Sequence, residues 1–493
     1  MSKEHAAALA RLPTTVVAYD LETSGLSDFD QVLQVAALRT DRTFALPQNP
    51  ERQFEMRARR QPWIVPSPAA MLVTRTSPEM LADGATHHFV IEEMETFFIA
   101  RTPSLYLGYN SMRFDEQMLR QCLFRSLLRP YLTQSYRSTR ADLMIMAQAI
   151  AAIDPSAIDV PLSDSGAPTF RLGPMCRANG IDFSEAAAHD ALADVRATLR
   201  LAQKLLSNAP DLFDRTLALA DKRYAQGILR SGQSVFRLKT IAGAPSVRGF
   251  GVLDATKDDA NGRICVDLTV DPGDYLNLDL DGLRIWTSSQ PSPLAVLRTN
   301  AQPMVFSTSD PSLAPRLREL VAAGGVAPPD ADLLQERAAR ISADEGFIDR
   351  IHTLLAGRRA VSKPLPHPDQ QLYSGGFAED CDYQYASRLR KLFPWERAPL
   401  TRFYRDPRLK AFAERIACEE DERNLAPDTR ARMRVWHRER LLGPRDAPWR
   451  TIAAARAELD ELWKTVAAAD HERLNAIRDW LDALEADAPS LNS

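Results

Sequence analysis

Cysteine is scarce and scattered. Five residues, Cys122, Cys176, Cys265, Cys381 and Cys418, include no C-x-x-C pair. An odd, dispersed set argues against a disulfide framework and offers no zinc-site spacing, so a reducing compartment is expected. Long apolar runs are missing too: none approaches the roughly 18 residues that a membrane span needs. The opening MSKEHAAALARLP has no apolar stretch with a cleavage site, so no secretory signal is expected. Together these absences predict a cytoplasmic protein with no membrane partner. An excess of one charge is also absent. Lys and Arg number 61 against 65 Asp and Glu, for a formal net charge of −4. A nucleic-acid role would therefore have to rest on local basic patches. No internal repeat or low-complexity segment occurs.

What is present is an ordinary globular composition, 45% apolar and 26% charged, over 493 residues. That length predicts more than one core. Apolar β-branched runs predict strands over 14–19, 32–38 and 104–108. Helical periodicity follows over 115–128 and 141–153. It is clearest over 191–206, where Leu192, Val195, Leu199 and Ala202 mark one stripe. Strands interleaved with helices predict an α/β domain, placed at residues 1–207. Beyond it, residues 221–251 hold six Lys or Arg against one Asp, with Tyr224, Phe236 and Phe250 interleaved. Alternation over 263–270 and turn-rich spacers predict a β-rich domain at 208–357. The Pro-rich segment 362–371 reads as a linker. A densely charged, helix-forming end predicts a helical domain at 358–493.

The chemistry begins in VVAYDLETSG, residues 16–25. An apolar strand runs into two carboxylates, Asp20 and Glu22, which share a face because strand side chains alternate. Close carboxylates repel, and one takes a proton unless a cation lies between them. A solvated strand end would also accommodate them. Asp115, in YNSMRFDEQMLR, falls near a helix start, where an acid simply complements the helix dipole. Asn110 or Ser111 is positioned to cap that helix. Glu116 stands beside it as a rival. In AHDALADV, His189 precedes the periodic helix and Asp194 lies one turn inside, off its apolar stripe.

Together these form the order D-x-E, D, H-x₄-D. Oxygen ligands without cysteine suit Mg²⁺ or Mn²⁺. Four carboxylates are enough for two ions roughly 3.5–4 Å apart, an arrangement used for in-line attack on phosphodiesters. His189 has the proton affinity of a general base near neutral pH.

These three motifs resemble those of the DEDD exonuclease superfamily, in its His-containing branch. DQVLQVAALRTD, PTFRLGPMCRANGI and DQQLYSGGF resemble the bacterial exodeoxyribonuclease I family in particular. The resemblance implies a ribonuclease H-like exonuclease domain with a mixed sheet and flanking helices, an SH3-like β-rich domain and a C-terminal helical domain. It implies 3′→5′ digestion of single-stranded DNA to 5′-mononucleotides with two Mg²⁺ ions, Mn²⁺ being the alternative, in DNA repair or recombination. Asp20, Glu22, Asp115 and Asp194 would hold the metal, and His189 would be the general base. Glu22, Thr23 and Asn110 would lie around the terminal nucleotide. Phe170, Arg171, Arg120, Tyr131 and Arg140 would contact the strand. The chain departs from the family's pattern in LTQSY, which lacks tryptophan, and at Gln148, where a basic group is expected. A monomer is implied, with the C-terminal tail of single-stranded DNA-binding protein as a partner. Two readings stand beside this one: an RNA-trimming relative of the superfamily, and a catalytically weak single-strand-binding scaffold.

Overall fold

A β-branched apolar segment, Thr15–Thr23, forms β1 at the centre of a five-stranded sheet in a computed structural model that describes residues 3–183, 189–325, 329–358 and 365–489. Its neighbours are β2 (Val32–Asp41), β3 (Gln53–Arg57), β4 (Ser104–Gly108) and β5 (Thr139–Asp142). The spatial order is β3-β2-β1-β4-β5. β1, β2 and β3 pair antiparallel, whereas β1–β4 and β4–β5 are parallel. The sheet is therefore mixed, as expected for this fold class.

Helices cover both faces because β1 is apolar on both. Val16 and Ala18 face a core shared with Met146 and Ile150 of α4 (Leu143–Ile153) and Val195 and Leu199 of α5 (Ala191–Asn208). Val17, Tyr19 and Leu21 face the other core. It includes Ile91 and Met94 of α2 (His87–Ile99) and Met118 and Leu119 of α3 (Asp115–Arg125). The short helix α1 (Pro68–Val73) carries Ser67 as its N-cap, accepting from the Ala70 amide at 3.1 Å.

The basic segment after residue 230 builds a second, antiparallel sheet. Its strands are β6 (Ser234–Ile241), β7 (Ala244–Ala255), β8 (Gly262–Asp267), β9 (Leu294–Arg298) and β10 (Val305–Ser307). Its core includes Ala149, Ala152 and Ile153 from α4, so the two sheets share a helix.

The helical end includes α6 (Pro407–Asp421), α7 (Pro427–Leu442), α8 (Ile452–Thr465) and α9 (His471–Ala486). These helices pack back on the first sheet's surroundings. Leu33, Met71 and Leu81 share a core with Ile452, Leu459 and Leu474, and Phe124 shares one with Leu409 and Phe412. Residues 362–364 of the expected linker lie outside the described residues. The rest is no free tether, because Asp369 is buried and paired with Arg415 at 2.9 Å. Among the described residues, no helix is long and apolar enough to cross a membrane.

Candidate active site

β1 does not end before its acids, as the sequence suggests, but runs through them. Asp20 pairs with Ala36 and Glu22 with Gln34, so both carboxylates stand on the face that carries Val16 and Ala18. α5 packs on that face. Its start is fixed by Asp190, whose carboxylate accepts from the Ala193 amide at 3.1 Å and from Gln34 Nε2 at 3.0 Å. The first turn then carries Asp194 to Glu22 and His189. One ligand atom from each of these three residues lies within 4.8 Å of the others. Among the described residues this is the one such grouping of three donors.

Asp115 arrives from the other side, as the first residue of α3. Neither Asn110 nor Ser111 caps this helix; Phe114 occupies the N-cap position without a side-chain bond. Asn110 instead adopts a left-handed φ of 61°, a conformation that asparagine tolerates better than most residues. Its amide donates to Asp142 at 2.9 Å, and the Met112 amide donates to the same carboxylate at 3.1 Å. Asp142 also caps α4, so a single buried acid fixes the turn between β4 and α3.

Glu116 is not a rival ligand. It is 1% exposed and points the other way. Its carboxylate accepts from Tyr19 Oη at 2.8 Å, Thr133 Oγ1 at 2.9 Å, Arg120 at 3.1 Å and Arg140 at 2.6 Å. Arg120 stacks on Tyr131, 5.2 Å from the ring centroid. The structure therefore does not bring Arg120, Tyr131 and Arg140 into the acidic cleft. They form a separate cluster, in which both guanidiniums pair with the single carboxylate of Glu116.

The cleft has two chambers. One, of about 760 Å³, is lined by Asp20, Glu22, Thr23, Asn110, Asp115, His189 and Asp194. The other, of about 950 Å³, shares Asn110, His189 and Asp194 and continues past Phe170, Arg171 and Gln148. Thr23 is itself tied down, donating to the Gly25 carbonyl at 2.9 Å. Phe170 packs partly against the first core, and its carbonyl accepts from Tyr109 Oη at 2.6 Å.

The electrostatics are those of a cage without counter-charge. Burial, followed by the charge of Asp115, pushes Asp20 well above the usual carboxylate range. Burial, then Asp20 and Asp194, does the same to Glu22. Asp115 rises mainly through burial, and Asp194 is pushed up to about 8 by burial and then Asp20. Asp194 Oδ1 is buried without a hydrogen-bond partner. An orphaned acceptor among crowded hard-oxygen donors fits divalent cations. His189 stands at the rim, exposed and with a left-handed φ of 64°. Partial desolvation, then Arg75 and Arg171, hold its imidazole below the ordinary histidine value. The ring is accordingly neutral at pH 7, as a proton acceptor must be.

Two lining residues carry no local sequence signal. Arg450 and Glu458 reach the first chamber from the helical end. Arg450 pairs with Glu458 at 3.1 Å and with Asp30 at 3.3 Å. Glu458 in turn accepts from the Ser67 hydroxyl and from the Ala69 amide at 3.1 Å.

Comparison with known proteins accounts for both ends of the chain. Residues 17–202 match the Exonuclease family model, and residues 366–484 match the Exonuclease I C-terminal domain. At both ends the chain is similar to the exodeoxyribonuclease I family. Exodeoxyribonuclease I of Escherichia coli K12 is 32% identical over 289 residues, which cover 55% of this chain and 57% of that protein. The chain thus matches little more than half the length of that curated relative. The exonuclease I of Methylocaldum szegediense superposes with a TM-score of 0.82 at 25% identity, covering 96% of this chain and all of that one. The E. coli exonuclease I in complex with a 5cy-dA13 oligonucleotide gives 0.81 at 22% identity, with the same coverage. At that identity it speaks to the fold alone.

Proposed function

We propose that this protein is a 3′→5′ exodeoxyribonuclease that degrades single-stranded DNA to 5′-mononucleotides. The observation that carries this reading is the convergence of Asp20, Glu22, Asp115 and Asp194 in one cleft, with their carboxyls pushed up and His189 at the rim. These four residues would hold two divalent cations, Mg²⁺ by the hardness of the donor set, with Mn²⁺ the alternative. When bound, the cations supply the positive charge that makes water acidic and steadies a leaving alkoxide. The protein's own residues do the rest. A ring nitrogen of neutral His189 takes the proton of the attacking water. Thr23 and Asn110 border the terminal nucleotide, while Phe170 and Arg171 line the path of the strand behind it.

The chain divides at residues 1–207, 208–357 and 358–493 in this reading, with an SH3-like middle domain and helices that close the cleft. Closure favours a threaded single strand over a duplex. The 32% identity to the exodeoxyribonuclease I of Escherichia coli supports a DNA substrate. A solved complex of SSB with exonuclease I (TM-score 0.79, 23% identity) shares this fold, and SSB is the protein partner in this reading. The five unpaired cysteines fit a reducing compartment such as the cytoplasm, where the protein would act as a monomer in DNA repair or recombination.

The test is digestion of 3′- and 5′-labelled single strands and duplexes. Mononucleotide release from single-stranded 3′ ends, abolished by EDTA, is expected. Asp20→Ala and His189→Ala should each lose about 10²- to 10⁴-fold in rate. Rates within a few-fold of wild type would refute the site.

A further inference from the structure

Arg75 lines the second chamber of the cleft, and nothing about its immediate sequence marks it out. It follows α1 with a left-handed φ of 52°. For a residue with a Cβ this backbone is unfavourable, by roughly 1–2 kcal/mol per residue, and such strain clusters at functional sites. No side-chain contact accounts for it: among the described residues, the Arg75 guanidinium makes no ion pair or hydrogen bond, and the side chain is exposed. Neighbouring arginines are committed elsewhere. Arg57 bonds Gln34 at 3.0 Å, and Arg60 donates to the Pro62 carbonyl at 2.7 Å.

Arg75 instead lines the second chamber, together with Arg171, Arg473, Gln148 and His189. Of these, Arg171 likewise has no ion pair among the described residues, and both arginines share the chamber wall with His189. Two uncommitted cations thus line the chamber that shares His189 and Asp194 with the acid cage. A buried carboxylate cage repels a polyanion, so cations at its mouth are where a phosphate would be held.

We infer that Arg75 is a substrate-binding residue that, together with Arg171, grips a phosphodiester of the strand in the second chamber. This rests on the exonuclease reading above. The contact is to the backbone, so it is blind to base sequence.

Arg75→Gly gives a clean test, because glycine relieves the left-handed backbone while removing the guanidinium. The full chain and an oligodeoxythymidylate are mixed in EDTA, where binding is read without cleavage. Affinity is measured against salt concentration. Arg75→Gly should melt no lower than wild type and bind about five- to tenfold more weakly at low salt. It should also show a salt slope smaller by about 0.7, the loss of one single-strand phosphate contact. Arg75→Lys should recover part of the affinity. In Mg²⁺ the Gly variant should raise KM far more than it lowers kcat. An unchanged slope and affinity, with wild type binding normally, would overturn the role of Arg75 alone. Failure of wild type to release mononucleotides from single strands in Mg²⁺ would overturn the exonuclease reading along with it.

Discussion

At the scale of single residues, Asp194 decides how the site behaves without metal. Its carboxyl is pushed up to about 8, against roughly 3.9 in an unfolded chain. A raised acid costs the folded state nothing below the unfolded value, and stability is lost as pH rises through the folded one. Asp20, Glu22 and Asp115 shift in the same direction. In EDTA the melting temperature should therefore fall steadily from pH 5 to pH 9, and saturating Mg²⁺ should raise it more at pH 8 than at pH 6. Asp194→Asn should flatten the EDTA profile. A profile already flat in wild type would show that the cage does not hold strained charge.

These acids were legible because their logic is local: period two places Asp20 beside Glu22, and the 191–206 stripe leaves Asp194 off the core. The pairing of Arg120 and Arg140 with a shared acid was not legible, for the opposite reason. Their partner Glu116 lies four residues from one but 24 from the other, and no pattern in the chain shows that a buried acid consumes both. Arg75 was missed outright, since a left-handed turn at arginine leaves no sequence trace.

At the scale of elements, the strands and helices that carry the site followed from periodicity. The helix over 191–206 extends only to Asn208, and the strand over 104–108 keeps its bounds. β3 and β5 were not foreseen, because QFEMR and TRAD are short and polar. They are strands through pairing with β2 and β4, a tertiary effect that outweighs propensity. The wall opposite α5 likewise depends on distant partners. Glu458 on α8 accepts from the Ser67 hydroxyl and the Ala69 amide at the start of α1, and Arg450 ties Glu458 to Asp30. Asp30 in turn holds the turn after β1, accepting from Ser24 Oγ at 2.8 Å and the Ser27 amide at 2.9 Å. Glu458→Ala should thus release α1 and the turn together. Stability should drop by about 1–2 kcal/mol from the lost hydrogen bonds, and kcat/KM on single strands should fall several-fold although no acid of the cage is altered. Unchanged kcat/KM in a destabilised variant would show that α8 supports the fold but not the site.

For the whole molecule, the question is what keeps the helical end clasped on the exonuclease half. Part of the clasp is apolar, through Phe124 against Phe412 and Met71 against the α8 and α9 core. The rest is a buried ionic knot. Asp369 is 3% exposed and pairs with Arg415 at 2.9 Å and with Arg125 of α3 at 3.9 Å. Burial alone would raise this carboxyl, but Arg415, Arg440 and Arg125 outweigh it and hold it below the usual range. A depressed acid contributes stability above its unfolded value, and that stability is lost as pH falls through the folded one. The clasp should therefore loosen only below about pH 4, the opposite end of the scale from the cage. Removing the carboxylate leaves several arginines facing one another out of water, an uncompensated charge that typically costs about 3–5 kcal/mol. In Asp369→Ala, hydrogen exchange should accelerate in α6 to α9 before it does in β1, β2 and β4. If the clasp encloses the strand, the number of nucleotides released per binding event should shrink. Single-turnover cleavage of a short oligonucleotide should stay close to wild type, because the cage is untouched. Equal exchange across both halves, or full-length digestion runs in a variant whose helical end has opened, would mean that the strand is held by the exonuclease half alone.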